Sequence, residues 1–121
     1  MLTATLPIST ILAILFSHWL ADFVGQSDEM AKNKSTSNFW LLVHIAVYGS
    51  FMSVMMVVTT STLSLEWLAI NLVLHGITDY FTSRLNTRLW KAGEVHWFFV
   101  SVGFDQLIHM VTLLVTAAYL F

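Results

Sequence analysis

The sequence predicts an all-α fold: a four-helix transmembrane bundle of two helical-hairpin pseudo-repeats, forming one integral membrane domain over residues 1–121. Three observations predict it. Of the chain, 57% is hydrophobic and 10% charged, against about 45–50% and about 25% in soluble domains. Four windows, about 6–25, 39–60, 63–83 and 97–121, approach the roughly 20 mostly apolar residues that a spanning helix needs. Within them, ionisable residues recur one helical turn apart. The formal charge of -2 supplies no basic field, which argues against nucleic acid as a partner. The absence of cysteine excludes disulfides, thiolate metal sites and cysteine nucleophiles.

The first window opens with Pro7, suited to a helix's first turn because its missing N–H is not needed there. It lacks a basic flank and an A-x-A site, so it reads as a retained span rather than a cleaved signal. Thr36, Ser37 and Asn38 offer an N-cap for the second span. The short Ser/Thr-rich stretch 59–64 makes the second and third spans antiparallel neighbours. Lys32 and Lys34 lie in loop one, and Arg84, Arg88 and Lys91 in or beside loop three. Loop two and both termini carry no Lys or Arg. The positive-inside rule then places loops one and three in the cytoplasm and both termini on the far side. Trp40, Trp90 and Trp97 would mark the cytoplasmic interface, Trp67 and Tyr119 the opposite one.

The chemistry lies in residues that apolar spans should not contain. His18 and Asp22, His75 and Asp79, and Asp105 and His109 are each four apart, so each pair shares a helix face. The second span contributes His44, with Tyr48 one turn on. A charge at the bilayer centre costs about 2.5–3.5 kcal/mol on insertion scales, so such groups should face one another rather than lipid. At 1.5 Å per residue the four histidines lie roughly 7–12 Å below the cytoplasmic interface and the three aspartates roughly 5–6 Å. All seven fall in one layer, although they come from helices of alternating direction. Leu42-Val43-His44-Ile45 matches Leu107-Ile108-His109-Met110, and His18 matches His75, which suggests two hairpins with a longer second connection. Asp105 has no first-half counterpart, because Trp40 stands there.

Imidazole and carboxylate donors suit Zn, Fe or Mn as divalent ions. The expected metal ligands are His18, Asp22, His44, His75, Asp79 and His109. Asp105, the unduplicated carboxylate, is the expected general base. Gln26, Tyr48 and Gln106 are placed to orient the ligands. Arg84 and Arg88, one turn apart, read either as interfacial anchors or as a clamp for an anion. Asp28, Glu29, Lys32 and Lys34 read first as a solvated loop and otherwise as a rim that recruits an anionic headgroup or a partner. Glu66 and His96 fall at span edges, outside the site, and Met52, Met55 and Met56 read as lipid-facing or packing residues.

The run His18-Trp19-Leu20-Ala21-Asp22-Phe23 with Gln26, then Ala31, Lys34 and His44-x-x-x-Tyr48, resembles a domain-of-unknown-function family of small bacterial and phage integral membrane proteins. Leu74-His75-x-x-x-Asp79-Tyr80 and Asp105-Gln106-x-x-His109 look like that family's second half. The resemblance implies a bacterial inner-membrane location and carries no activity with it. The layout is also loosely similar to inner-membrane metal-dependent hydrolases. The sequence therefore leads to a metal-dependent hydrolase acting from the cytoplasmic side on a membrane lipid or lipid-linked or amphipathic substrate, open to homo-oligomer formation. A metal-ion or proton-coupled transporter is the alternative, and a non-enzymatic factor with a structural His/Asp network the third reading.

Overall fold

The computed structural model describes residues 5–60 and 64–121, apart from the Thr60 side chain. The start of the third predicted span at Leu63 and the predicted turn before it lie outside these residues. Among the described residues the chain is all-helical, with helices α1 (Ile8–Trp19), α2 (Asp28–Asn33), α3 (Asn38–Thr60), α4 (Leu65–Lys91) and α5 (Val95–Leu120). A π-helical turn, Leu20–Val24, continues α1.

Pro7 stands one residue outside α1, and its carbonyl accepts from the amides of Thr10 and Ile11 at 3.0 and 3.1 Å. The expected cap of the second span is Ser37, whose hydroxyl accepts from the Trp40 amide. Ser64 caps α4 in the same way through the Trp67 amide at 3.2 Å. Two stretches read as loops are helical. Ser27 caps α2, Asp28 and Glu29 fill its first turn and Lys32 its last, which matches the helix dipole at both ends. Beyond the predicted third span, α4 runs on to Lys91, so Arg84, Arg88 and Lys91, expected in or beside loop three, all sit on the helix. It ends where Gly93 adopts φ 74 and the Glu94 amide reaches back to the Leu89 carbonyl at 2.9 Å, the glycine-terminated stop that a left-handed residue permits.

The four long helices form a closed ring: α1 against α3, α3 against α4, α4 against α5, and α5 back against α1. The core has two halves. One is apolar, with Ile14, Met52, Met56, Leu113 and Ala117 packed around Trp67. Trp67 is not an interfacial belt residue: it is 1% exposed, and its indole N–H donates to the Leu113 carbonyl at 3.1 Å, so it needs no water. Met52 and Met56 are core residues as well. The other half is polar, holding His18, Asp22, His44, His75, Asp79, Asp105 and His109. Outside, Leu12, Phe16, Leu42, Val58, Val73, Phe81, Phe104 and Val111 are exposed. By length and composition, Asn38–Thr59 and Val95–Leu120 are apolar enough to cross a membrane, with mean hydropathy 2.0 and 1.7. Helix α4 carries Glu66, Asn71, His75 and Asp79, which dilute its hydropathy, and Ile8–Val24 is apolar but shorter.

Gly49 and Gly76 let α3 and α4 approach closely. A Cβ at Gly76 would stand 2.8 Å from Ile45 Cδ1, and one at Gly49 3.0 Å from Leu72 Cδ2. Because the Gly76 neighbour is a movable side-chain tip, Gly76→Ala should be mild. Gly76→Leu should overpack the seam and destabilise the bundle by about 1–3 kcal/mol. Thermal unfolding in detergent checks this; equal transitions for the two variants would contradict the close seam.

Candidate metal centre

Four helices and one helix end deliver the polar half of the core. Helix α1 supplies His18, and the π turn supplies Asp22. The Gly25 amide bonds the Leu20 carbonyl five residues back at 2.8 Å, a one-residue expansion that turns both Ala21 and Asp22 inward. Helix α3 brings His44 and Tyr48, α4 brings His75, Asp79 and Thr82, and α5 brings Asp105, Gln106 and His109. Lys34 closes α2 and reaches into the bundle.

Four donor atoms converge: Asp22 Oδ1, His44 Nε2, His75 Nε2 and Asp79 Oδ2, all within 4.8 Å of one another. His44 Nε2 lies 3.0 Å from His75 Nε2, 3.2 Å from Asp22 Oδ1 and 3.1 Å from Asp79 Oδ2. His75 Nε2 lies 3.6 Å from Asp22 Oδ1 and 3.5 Å from Asp79 Oδ2. A tetrahedron with metal–ligand bonds near 2.0–2.2 Å has edges of about 3.3–3.6 Å, so these separations are close to those of a four-coordinate site.

The second oxygen of each carboxylate faces the other way. Asp79 Oδ1 lies 3.4 Å from His109 Nε2, and Asp22 Oδ2 lies 3.7 Å from His109 Nδ1. Asp105 Oδ2 is 3.7 Å from His109 Nδ1. Asp79, Asp105 and His109 form one further donor group, and His18, Asp22 and His109 another. Asp22 and Asp79 thus stand between the His44/His75 pair on one side and His109 on the other. Asp22 Oδ1 is buried without a hydrogen-bond partner, as an atom aimed at an ion would be, and neither ring nitrogen of His109 is hydrogen-bonded, so its unprotonated nitrogen can also face an ion.

A hydrogen-bonded frame holds these groups. Gln106 Nε2 donates to Asp22 Oδ2 at 2.9 Å and Asp105 Oδ2 at 3.1 Å. Its Oε1 can only accept, so the 2.8 Å contact with His18 Nε2 fixes the proton there, leaving Nδ1 to accept from the Tyr48 hydroxyl at 2.8 Å. The Tyr48 ring stacks on His75 with centroids 3.9 Å apart. Thr82 donates to Asp105 Oδ1. Lys34 Nζ donates to Asp79 Oδ2 at 3.0 Å. Burial works against the Lys34 charge, but the neighbouring Asp79 and Asp22 carboxylates outweigh it and hold the ammonium above its ordinary range. The cluster gathers three carboxyl groups around a single ammonium, an arrangement that favours a further positive charge among them.

The expected site residues divide accordingly. Asp22, His44, His75, Asp79, Asp105 and His109 come together. His18 is beside them, but both its nitrogens are taken by Tyr48 and Gln106. Gln26 has no hydrogen bond to the cluster, and its Oε1 is buried without a partner. Arg84 bonds the Tyr80 carbonyl and Asn38 and lies 3.7 Å over the Tyr80 ring, while Arg88 is exposed one turn further on, and neither is part of the cluster. The sequence reading gave Lys34 and Thr82 no place in the His/Asp cluster. Lys34 had a signal, since buried carboxylates without a nearby cation on their own helices call for one from elsewhere.

The fold and cluster define an all-helical protein with a buried His/Asp centre able to hold a metal ion. Residues 10–121 match the family described as a protein of unknown function, DUF3307, and the chain belongs to that family. No curated protein and no solved structure matches it.

Tyr48→Phe keeps the stack on His75 but leaves His18 Nδ1 buried without a donor. It should cost about 1–3 kcal/mol of stability, read from denaturant unfolding in detergent. An unchanged midpoint would show that His18 does not depend on this bond.

Proposed function

We propose that this chain is an integral membrane metalloprotein of four spans, a divalent-metal-dependent hydrolase acting on a lipid-linked or amphipathic substrate from the cytoplasmic side. Its inverted burial supports the membrane reading: an ionisable core inside and large apolar side chains outside suit a lipid solvent. In this reading the π turn lengthens the first span and the flank of exposed aliphatic residues carries α4 across despite its polar face.

The observation that carries the hydrolase reading is the two-sided use of Asp22 and Asp79. Each offers one oxygen to His44 and His75 and the other to the His109 side, so Asp22, His44, His75 and Asp79 would hold one ion, Zn, Fe or Mn, and the residues on the His109 side could serve a second. A bound divalent ion supplies a water of lowered pKa and polarises the bond to be cleaved. Asp105 is held by Thr82 and Gln106, is less deeply packed than the other two carboxyl groups, and can accept the proton at Oδ2. Gln106 couples that base to Asp22 and His18. A transporter would need a continuous polar path beyond the cluster, and there the core is mostly Ile14, Met52, Met56, Trp67 and Leu113, with Asn71 bonded to Thr116 among them.

Purified protein should retain at least about one divalent ion per chain. His75→Ala should weaken metal affinity by about 10-fold or more. Asp105→Asn should keep its metal and fold but lose about 10²–10⁴ in the release of water-soluble product from a lipid extract. Wild-type protein that stays folded yet retains none of Zn, Fe or Mn after dialysis against each would contradict the proposal.

A further inference from the structure

A cavity of about 510 Å³ opens beside the cluster, between α2, α4 and α5. Its wall has two chemical halves. Lys32, Lys34 and Lys91 line it, with the polar residues Ser35, Ser83, Asn86 and Thr87. Trp90, Phe98 and Phe99 form the other half; Trp90 and Phe98 pack edge to face at 5.1 Å, and Trp90 and Phe99 are more than half exposed.

These polar groups are not consumed by the fold. Lys34 is paired with Asp79, but among the described residues neither Lys32 nor Lys91 pairs with a carboxylate. Ser83 Oγ and Asn86 Oδ1 are buried atoms without hydrogen-bond partners. The Thr87 hydroxyl lies 2.8 Å from Ser35 Oγ and 3.1 Å from the Ser83 carbonyl, which sets the two hydroxyls side by side at the rim. No acidic side chain lines the cavity. Its lining includes Lys34, whose ammonium donates to Asp79, and Ser83, one helical turn from Asp79. A ligand filling it would therefore meet the cationic groups and the edge of the metal cluster together, with its apolar part along the aromatic wall. The volume falls within the range of about 300–1,000 Å³ typical of small-molecule sites.

We propose that this cavity binds a phosphate-bearing amphiphile, with the phosphate at Lys32, Lys91 and the Ser35–Thr87 hydroxyls and the apolar chain along Trp90, Phe98 and Phe99. The ammonium groups select the anion, and the aromatic wall selects an ester carrying a chain over the free anion. Calling such a ligand the substrate rests on the hydrolase reading above; its binding does not, because none of Lys32, Lys91 or the aromatic residues belongs to the metal cluster.

The test is a fluorescence titration of the full chain in a neutral detergent with three probes: dioctanoyl phosphatidic acid, dioctanoyl phosphatidylcholine and inorganic phosphate. Metal content is measured on the same samples. Phosphatidic acid should saturate, and the double variant Lys32→Gln/Lys91→Gln should weaken it by about 10-fold or more. Lys32→Arg/Lys91→Arg should retain binding, which separates charge loss from misfolding. Phosphatidylcholine, whose phosphate charge is balanced, should bind more weakly. Inorganic phosphate binding as tightly as phosphatidic acid would overturn the amphiphile assignment, and so would equal binding of the two lipids. Binding unchanged in the Gln double variant would overturn the location. Saturable, lysine-dependent binding by protein that takes up no metal would uphold the cavity while removing the hydrolase reading.

Discussion

The structure depends on one constraint: Asp22 and Asp79 are almost completely buried, and their charge must be compensated inside the bundle. An isolated carboxylate in a low-dielectric interior is very costly, so it requires partners. Every helix supplies one. Imidazoles come from α1, α3, α4 and α5, an amide from Gln106, and an ammonium from Lys34 at the end of α2. Remove either carboxyl group and the others have no common centre. The helix ring, the π turn and the docking of α2 all follow from bringing these donors to one place.

The backbone devices serve the same end. Gly49 and Gly76 flank Tyr48 and His75 in sequence, and their missing side chains let α3 and α4 approach until two imidazole nitrogens stand 3.0 Å apart. The π turn is a costly local geometry, found in many proteins at functional sites. Here it carries Asp22. Tyr48 links two histidines with one side chain, through its hydroxyl to His18 and through its ring to His75. The apolar half of the core, centred on Trp67, then holds the ring together from the other end.

Much of this was legible in the sequence, because helical period and the oddity of charged residues in apolar windows are both local signals. The three His/Asp pairs four residues apart meet as expected, and His44 joins them from α3. What was not legible depended on tertiary contact. Lys34 looked like a solvated loop residue, since nothing local shows that α2 folds its end back over the bundle. His18 looked equivalent to His75 in the repeat, yet a glutamine and a tyrosine from other helices occupy both its nitrogens. Trp67 looked interfacial until the Leu113 carbonyl accepted its N–H. The extension of α4 to Lys91 was missed for a different reason: basic residues beyond a span suggested a loop, although Arg, Leu and Lys are good helix formers and the stop signal is Gly93.

The central claim is that these side chains form a metal centre rather than a hydrogen-bond network alone. Zinc-edge X-ray absorption on the purified chain, loaded with one equivalent of Zn, tests it most directly. The account predicts nitrogen and oxygen scatterers at about 2.0–2.2 Å, an imidazole contribution from two histidines, and no sulfur. A spectrum of hydrated zinc with oxygen neighbours alone, from protein shown to be folded, would contradict it.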